Sequence, residues 1–77
     1  MMPIGFVLIN TTPAHKKEVY DKLSEIEEIK DLHPLFEEYD FIAKIEAEKS
    51  EDLGKIIDKI RSIEGIEDTK TLLGTKF

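Results

Sequence analysis

The sequence predicts an α+β domain in which a four-stranded antiparallel sheet carries two helices on one face. Three observations lead there. Two stretches place apolar residues at helical spacing, with Val19, Leu23 and Ile26 in one and Leu53, Ile56, Ile57, Ile60 and Ile63 in the other. Four short runs rich in Ile, Val, Phe and Thr lie before, between and after these stretches. The second of those runs contains Pro34, whose missing N–H suits only the edge of a sheet.

The first run, Ile4 to Asn10, is β-branched or aromatic at most positions and is closed by Thr11, Thr12 and Pro13, so it reads as a buried strand. Phe6 and Leu8 point one way and Val7 and Ile9 the other, so each side of the sheet needs a cover. Thr12 is placed as an N-cap with Pro13 at the first helical position, which predicts a helix from Pro13 to Glu28. Ile29 to Phe36 then fits an edge strand. Glu37 and Glu38 form a tight polar connection into the strand Tyr39 to Ala47, where Tyr39, Phe41, Ala43, Ile45 and Ala47 share one face.

Ser50 caps the second helix, and Glu51 and Asp52 put negative charge in its first turn, where the helix dipole favours it. Gly65 stands where a left-handed residue ends that helix. Ile66 to Thr75 closes the chain as a strand, with Thr69, Thr71 and Leu73 on one face and Lys70 and Leu72 on the other.

The order strand, helix, strand, strand, helix, strand is the split βαβ or ferredoxin-like plan, βαββαβ. Right-handed crossovers put the first and third strands in the centre and the proline-bearing second strand at an edge. Both helices then cover one face, and the apolar residues of the other face, either Val7 and Ile9 or Phe6 and Leu8, need a second copy stacked sheet on sheet. The expected unit is a homodimer, a dimeric α/β barrel.

Size and charge narrow the possibilities. A chain of 77 residues is one domain, 1–77, and at this length folding buries only about 60% of the unfolded surface, so association adds needed burial. A formal charge of −6 opposes direct nucleic-acid binding, which relies on Lys and Arg displacing counterions. The absence of cysteine removes disulfides and thiolate chemistry and fits a reducing interior. The apolar run around Ile4 to Ile9 is far shorter than the ~20 residues of a membrane span. A soluble, cytoplasmic protein is expected. Lysine and glutamate dominate the charges and isoleucine is abundant, a bias that resembles proteins of heat-loving, archaeal-type organisms. There is no Gly-rich phosphate loop, no G-x-G-x-x-G, no H-E-x-x-H and no G-x-S-x-G. No cofactor is expected.

Candidate site chemistry gathers where Asp40 opens a strand at the lip of the sheet. An amino-acid zwitterion needs an acceptor for its ammonium and donors for its carboxylate. Asp40 suits the first role, and Thr69, Thr71 and the N–H groups of the turn suit the second, with Tyr39 as a wall. The plainer alternative makes Asp40 a turn cap, the threonines ordinary strand formers and Tyr39 interface packing. His15 and His33 read as surface or interface residues, since neither has a Cys or Asp neighbour at zinc spacing. The acidic runs around Glu25 to Glu28 and Glu46 to Asp52 read as a solvated face, with helical pairs such as Glu51 with Lys55 adding a few tenths of a kcal/mol each.

From end to end the chain resembles the effector-binding half of the leucine-responsive, asparagine-type (Lrp/AsnC, feast/famine) transcription regulators. FVLINTTPAHKKEVYDKL is similar to that family's opening strand and helix, IEEIKDLHPLFEEYDFIAKIEAE to its second strand, turn and Tyr-Asp strand, and IRSIEGIEDTKTLL to its closing helix, Gly turn and Thr-x-Thr strand. The resemblance is to stand-alone effector modules, without the DNA-binding domain of full-length relatives. It implies dimers by sheet stacking, association into rings such as octamers or decamers, and amino acids bound at contacts between dimers. It also implies ligand contacts at Glu37, Glu38, Tyr39 and Asp40 of the turn, at Thr69 and Thr71 of the last strand, and at Asp52 near the second helix start. Glu37 stands where the family usually carries glycine, which permits closer backbone approach to a ligand.

Three functions follow from these residues. The first is a non-catalytic sensor of an amino acid or similar metabolite. The second is a purely structural partner of full-length regulators. The third is a small enzyme of the dimeric α/β-barrel type, with His33 or Asp40 as a base. Acylphosphatase shares the plan but needs an arginine-bearing cradle after the first strand, and amino-acid-binding ACT modules use a glycine that the turn Asn10 to Ala14 lacks.

Overall fold

The computed structural model describes residues 2–75. They form β1 (Pro3–Thr11), a 3-10 turn at Pro13–His15, α1 (Lys16–Ser24), β2 (Ile29–Pro34), β3 (Phe41–Glu46), α2 (Ser50–Arg61) and β4 (Ile66–Thr75). The sheet order is β2-β3-β1-β4, every pairing is antiparallel, and β2 with its proline is at an edge. This is the ferredoxin-like arrangement that the element order predicts.

Alternation along β1 decides which residues meet the helices. Val7 and Ile9 are fully buried and pair across the sheet with Ala43 and Phe41 of β3 and with Thr71 and Thr69 of β4. Val19 and Leu23 of α1 and Leu53, Ile56 and Ile60 of α2 complete this core. Each buried aliphatic side chain contributes about 1.5–3 kcal/mol.

The opposite face presents Phe6 and Leu8 beside Ile42 and Leu72, with Lys44 opposite Phe6 and Lys70 opposite Leu8, and no helix or strand among the described residues packs over them. Leu72 is 52% exposed. Of the two pairs that the sequence leaves open, Phe6 and Leu8 are the uncovered one.

Several local expectations are corrected. The first helix is shorter than predicted: a 3-10 turn replaces its start, and α1 ends at Ser24, where the Ser24 hydroxyl donates to the Tyr20 carbonyl at 2.9 Å. Thr12 makes no side-chain cap, because its hydroxyl is bonded to His15 Nδ1 at 2.6 Å. Ser50 is the first residue of α2 rather than its cap, which is Lys49. The β2–β3 connection is not tight: β2 stops at Pro34, β3 starts only at Phe41, and Tyr39 and Ala47 lie outside the strand.

Gly65 has φ +100°, the left-handed conformation expected, and its lack of a side chain lets it seat against His15 and Val19. A Cβ there would fall 2.5 Å from His15 Cβ. The Gly65 carbonyl accepts from Thr12 N–H at 2.9 Å, tying the start of β4 to the end of β1.

Candidate functional site

The loop between β2 and β3 is pinned at both ends. Leu35 N–H donates to the Asp40 carbonyl at 2.8 Å, and Asp40 N–H donates to the Ile9 carbonyl at 2.9 Å. Between these anchors Glu37 and Glu38 are exposed, and Tyr39 is half-buried. Phe36, at 102% exposure, is fully solvated among the described residues. A fully solvated Phe beside two carboxylates was not singled out by the sequence reading, although its position next to the turn was visible.

The Asp40 side chain turns back onto the sheet. Its Oδ2 accepts from Thr11 N–H at 2.8 Å and from the Thr11 hydroxyl at 3.1 Å, and its Oδ1 lies 3.7 Å from Lys16 Nζ. Lys16 also sits 5.9 Å from the centre of the Phe41 ring, which packs against Tyr20 at 5.7 Å. Thr11 is 7% exposed, so Asp40 satisfies donors on a largely buried residue. The carboxylate thus accepts hydrogen bonds across the sheet from the end of β1, a partner that neither of its sequence readings names.

Thr69 lies at the same end of the sheet, directly opposite Ile9, and its Oγ1 accepts from Arg61 Nε at 3.0 Å. Thr71 lies one residue pair further along the same face, opposite Val7, and its buried Oγ1 has no hydrogen-bond partner. Both threonines therefore face the helices, not the open side of the sheet.

Asp52 belongs elsewhere. It lines a cleft of about 520 Å³ with Glu28, Glu46, Glu48, Lys55 and Lys59 over Ala47 and Ile56, and no residue of the 37–40 loop borders it. Within it Lys55 lies 3.7 Å from Asp52 and Lys59 3.5 Å from Glu28. The hydrogen bond to its own backbone N–H holds the Glu28 carboxyl below the usual glutamate range, with the charges of Lys59 and Lys30 acting the same way against partial desolvation.

His33 and Asp31 stand on the open face of the sheet, where with Phe6, Ile42 and Lys44 they border a shallow hollow of about 140 Å³. Among the described residues, no group of three or more His, Cys, Asp or Glu side chains is arranged to hold a metal. Nor is any helix there long and apolar enough to cross a membrane.

The architecture is that of a ferredoxin-like α+β domain whose sheet keeps one face bare among the described residues. The family profile described as the Lrp/AsnC ligand binding domain matches residues 4–76. The chain belongs to the Lrp/AsnC family. It is 34% identical over 73 residues to the HTH-type transcriptional regulator FL11 of Pyrococcus furiosus, covering 95% of this chain and 48% of that protein. The chain thus spans about half the length of the curated relatives it matches, which are transcriptional regulators.

Solved structures match nearly full length. The hypothetical protein PHS023 of Pyrococcus horikoshii superposes with a TM-score of 0.88 at 32% identity, over 99% of this chain and 93% of that one. TTHA0845 of Thermus thermophilus gives 0.89 at 26% identity, over 100% and 96%.

Proposed function

We propose that this chain is a non-catalytic sensing and assembly module of a regulatory system, taking a free amino acid and altering its own association or that of a partner regulator. One observation carries the reading: Phe6, Leu8, Ile42 and Leu72 make an apolar patch, flanked by Lys44 and Lys70, on a sheet face that the described residues leave uncovered. A second copy stacked on this patch buries it twice over, giving a homodimer. Family membership adds the ligand-binding role, and the regulator relatives supply the cellular context.

In this reading Phe36 is the apolar anchor of a second contact, through which dimers assemble into a ring such as an octamer or decamer. A lone aromatic on an exposed loop is the kind of side chain that dominates a small interface. Isothermal titration with each of the twenty amino acids tests the sensing claim. Heat from at least one at millimolar concentration or below is expected, and silence from all twenty removes it.

A second reading is favoured by Asp40, whose carboxylate is already engaged by Thr11 and Lys16, and by Glu37 in the loop. Here the chain binds no ligand and mixes with full-length family regulators through the same sheet face. Co-expression with such a regulator then yields hetero-oligomers, and strictly separate species count against it.

A further inference from the structure

Strand register fixes where the charges of the open sheet face stand. Cross-strand partners place Asp31, Lys44, Phe6 and Leu72 in one row, and His33, Ile42, Leu8 and Lys70 in the next, each running from the β2 edge to the β4 edge. Lys44, in the interior, lies 3.9 Å from Glu46 of its own strand. Asp68, two residues from Lys70, borders the depression beside Arg61. Among the described residues neither Asp31 nor Lys70 makes an ion pair, and both are exposed.

Opposite charges therefore stand at opposite edges of one face. Three strand spacings separate them, roughly 14 Å, too far for a lysine and an aspartate of the same chain to meet.

A second copy can stack on this face about either of two symmetry axes. An axis perpendicular to the strands lays β2 on β2 and β4 on β4, so that acidic edge meets acidic edge and basic meets basic. Like charges brought together in this way are unfavourable. An axis parallel to the strands lays β2 on β4 and β1 on β3. Leu8 then covers Ile42 of the second copy, and Lys70 of the second copy comes over His33 and one residue from Asp31. Stacked sheets lie about 10 Å apart, a gap that the flexible four-carbon stem of lysine bridges to a carboxylate.

We propose that Asp31 and Lys70 form a reciprocal ion pair between two stacked copies, made twice by the symmetry, which sets the parallel-axis orientation and selects the twin. A chain without the complementary charge at these edges is a poorer partner. The pairing rests on the homodimer read from the same face.

Sedimentation equilibrium at low salt tests it. Asp31→Lys and Lys70→Asp are each expected to raise the dissociation constant of the dimer roughly tenfold or more, and Asp31→Asn and Lys70→Gln less. The double variant, Asp31→Lys with Lys70→Asp, restores opposite charges and returns to within about threefold of the parent. The two single reversals, mixed, give chiefly the heterodimer by native mass spectrometry. Circular dichroism checks the fold of each variant, and where a reversal disturbs it the Asn and Gln variants carry the comparison. Lys70→Asp dimers as tight as the parent's, a double variant no tighter than the singles, or a mixture without heterodimer overturns the pairing and leaves the homodimer standing. A parent that is monomeric throughout removes both.

Discussion

Asp40 and Thr11 lie 29 residues apart in the chain, yet the Asp40 carboxylate accepts both the Thr11 backbone N–H and its hydroxyl. The bond joins the end of β1 to the entrance of β3, two strands that pair from Ile4 with Glu46 to Ile9 with Phe41. Removing it leaves a buried N–H unsatisfied.

Asp40→Ala is therefore expected to lower stability by roughly 1–3 kcal/mol, the cost of an orphaned buried donor. Urea unfolding monitored by circular dichroism measures this. A variant of parental stability that has lost ligand affinity would instead make Asp40 a ligand contact.

Gly65→Ala introduces a Cβ 2.5 Å from His15 Cβ and 3.0 Å from Val19 Cγ2, at a backbone φ of +100°. A loss of about 1–3 kcal/mol from backbone strain alone is expected, with further loss from the displaced α1. Equal midpoints of thermal unfolding for parent and variant would contradict the packing described.

Phe36→Ser tests the loop as an anchor between dimers. Phe36 is fully exposed among the described residues, so its removal leaves monomer stability within about 0.5 kcal/mol of the parent. Native mass spectrometry is expected to show any ring reduced to dimers. Rings that persist place the second contact elsewhere.

Glu28 gives the acid limb a defined sign. Its folded-state pKa lies below the unfolded value, so its contribution is fully present above the unfolded pKa and is lost as pH falls through the folded one. Glu28→Gln is expected to be less stable than the parent at pH 7 and to converge with it in acid. Parallel curves of stability against pH for the two proteins would remove Glu28 from the acid response.

The element order and the sheet plan were legible because alternation in Ile4 to Ile9, the helical spacing of Leu53 to Ile60, and Pro34 each carry a local physical signal. Which face of β1 is covered was not. Both alternating sets are apolar, and the register with β3 and β4 decides that Val7 and Ile9 go inward. Of the candidate site residues, Asp40 and Thr69 lie at one end of the sheet while Asp52 lines a separate cleft, a separation that the linear order does not encode. The long-range bonds of Thr11 to Asp40 and of Arg61 to Thr69 join elements that only the folded topology brings together, and no periodicity encodes them.

Sedimentation equilibrium at micromolar concentration addresses the uncovered sheet face most directly. The parent chain is expected at no less than twice its 8.9 kDa protomer mass, and Leu8→Lys, which plants a charge in the centre of the bare stripe, is expected to shift it toward monomer. A parent protein that sediments as a well-folded 8.9 kDa species contradicts the account.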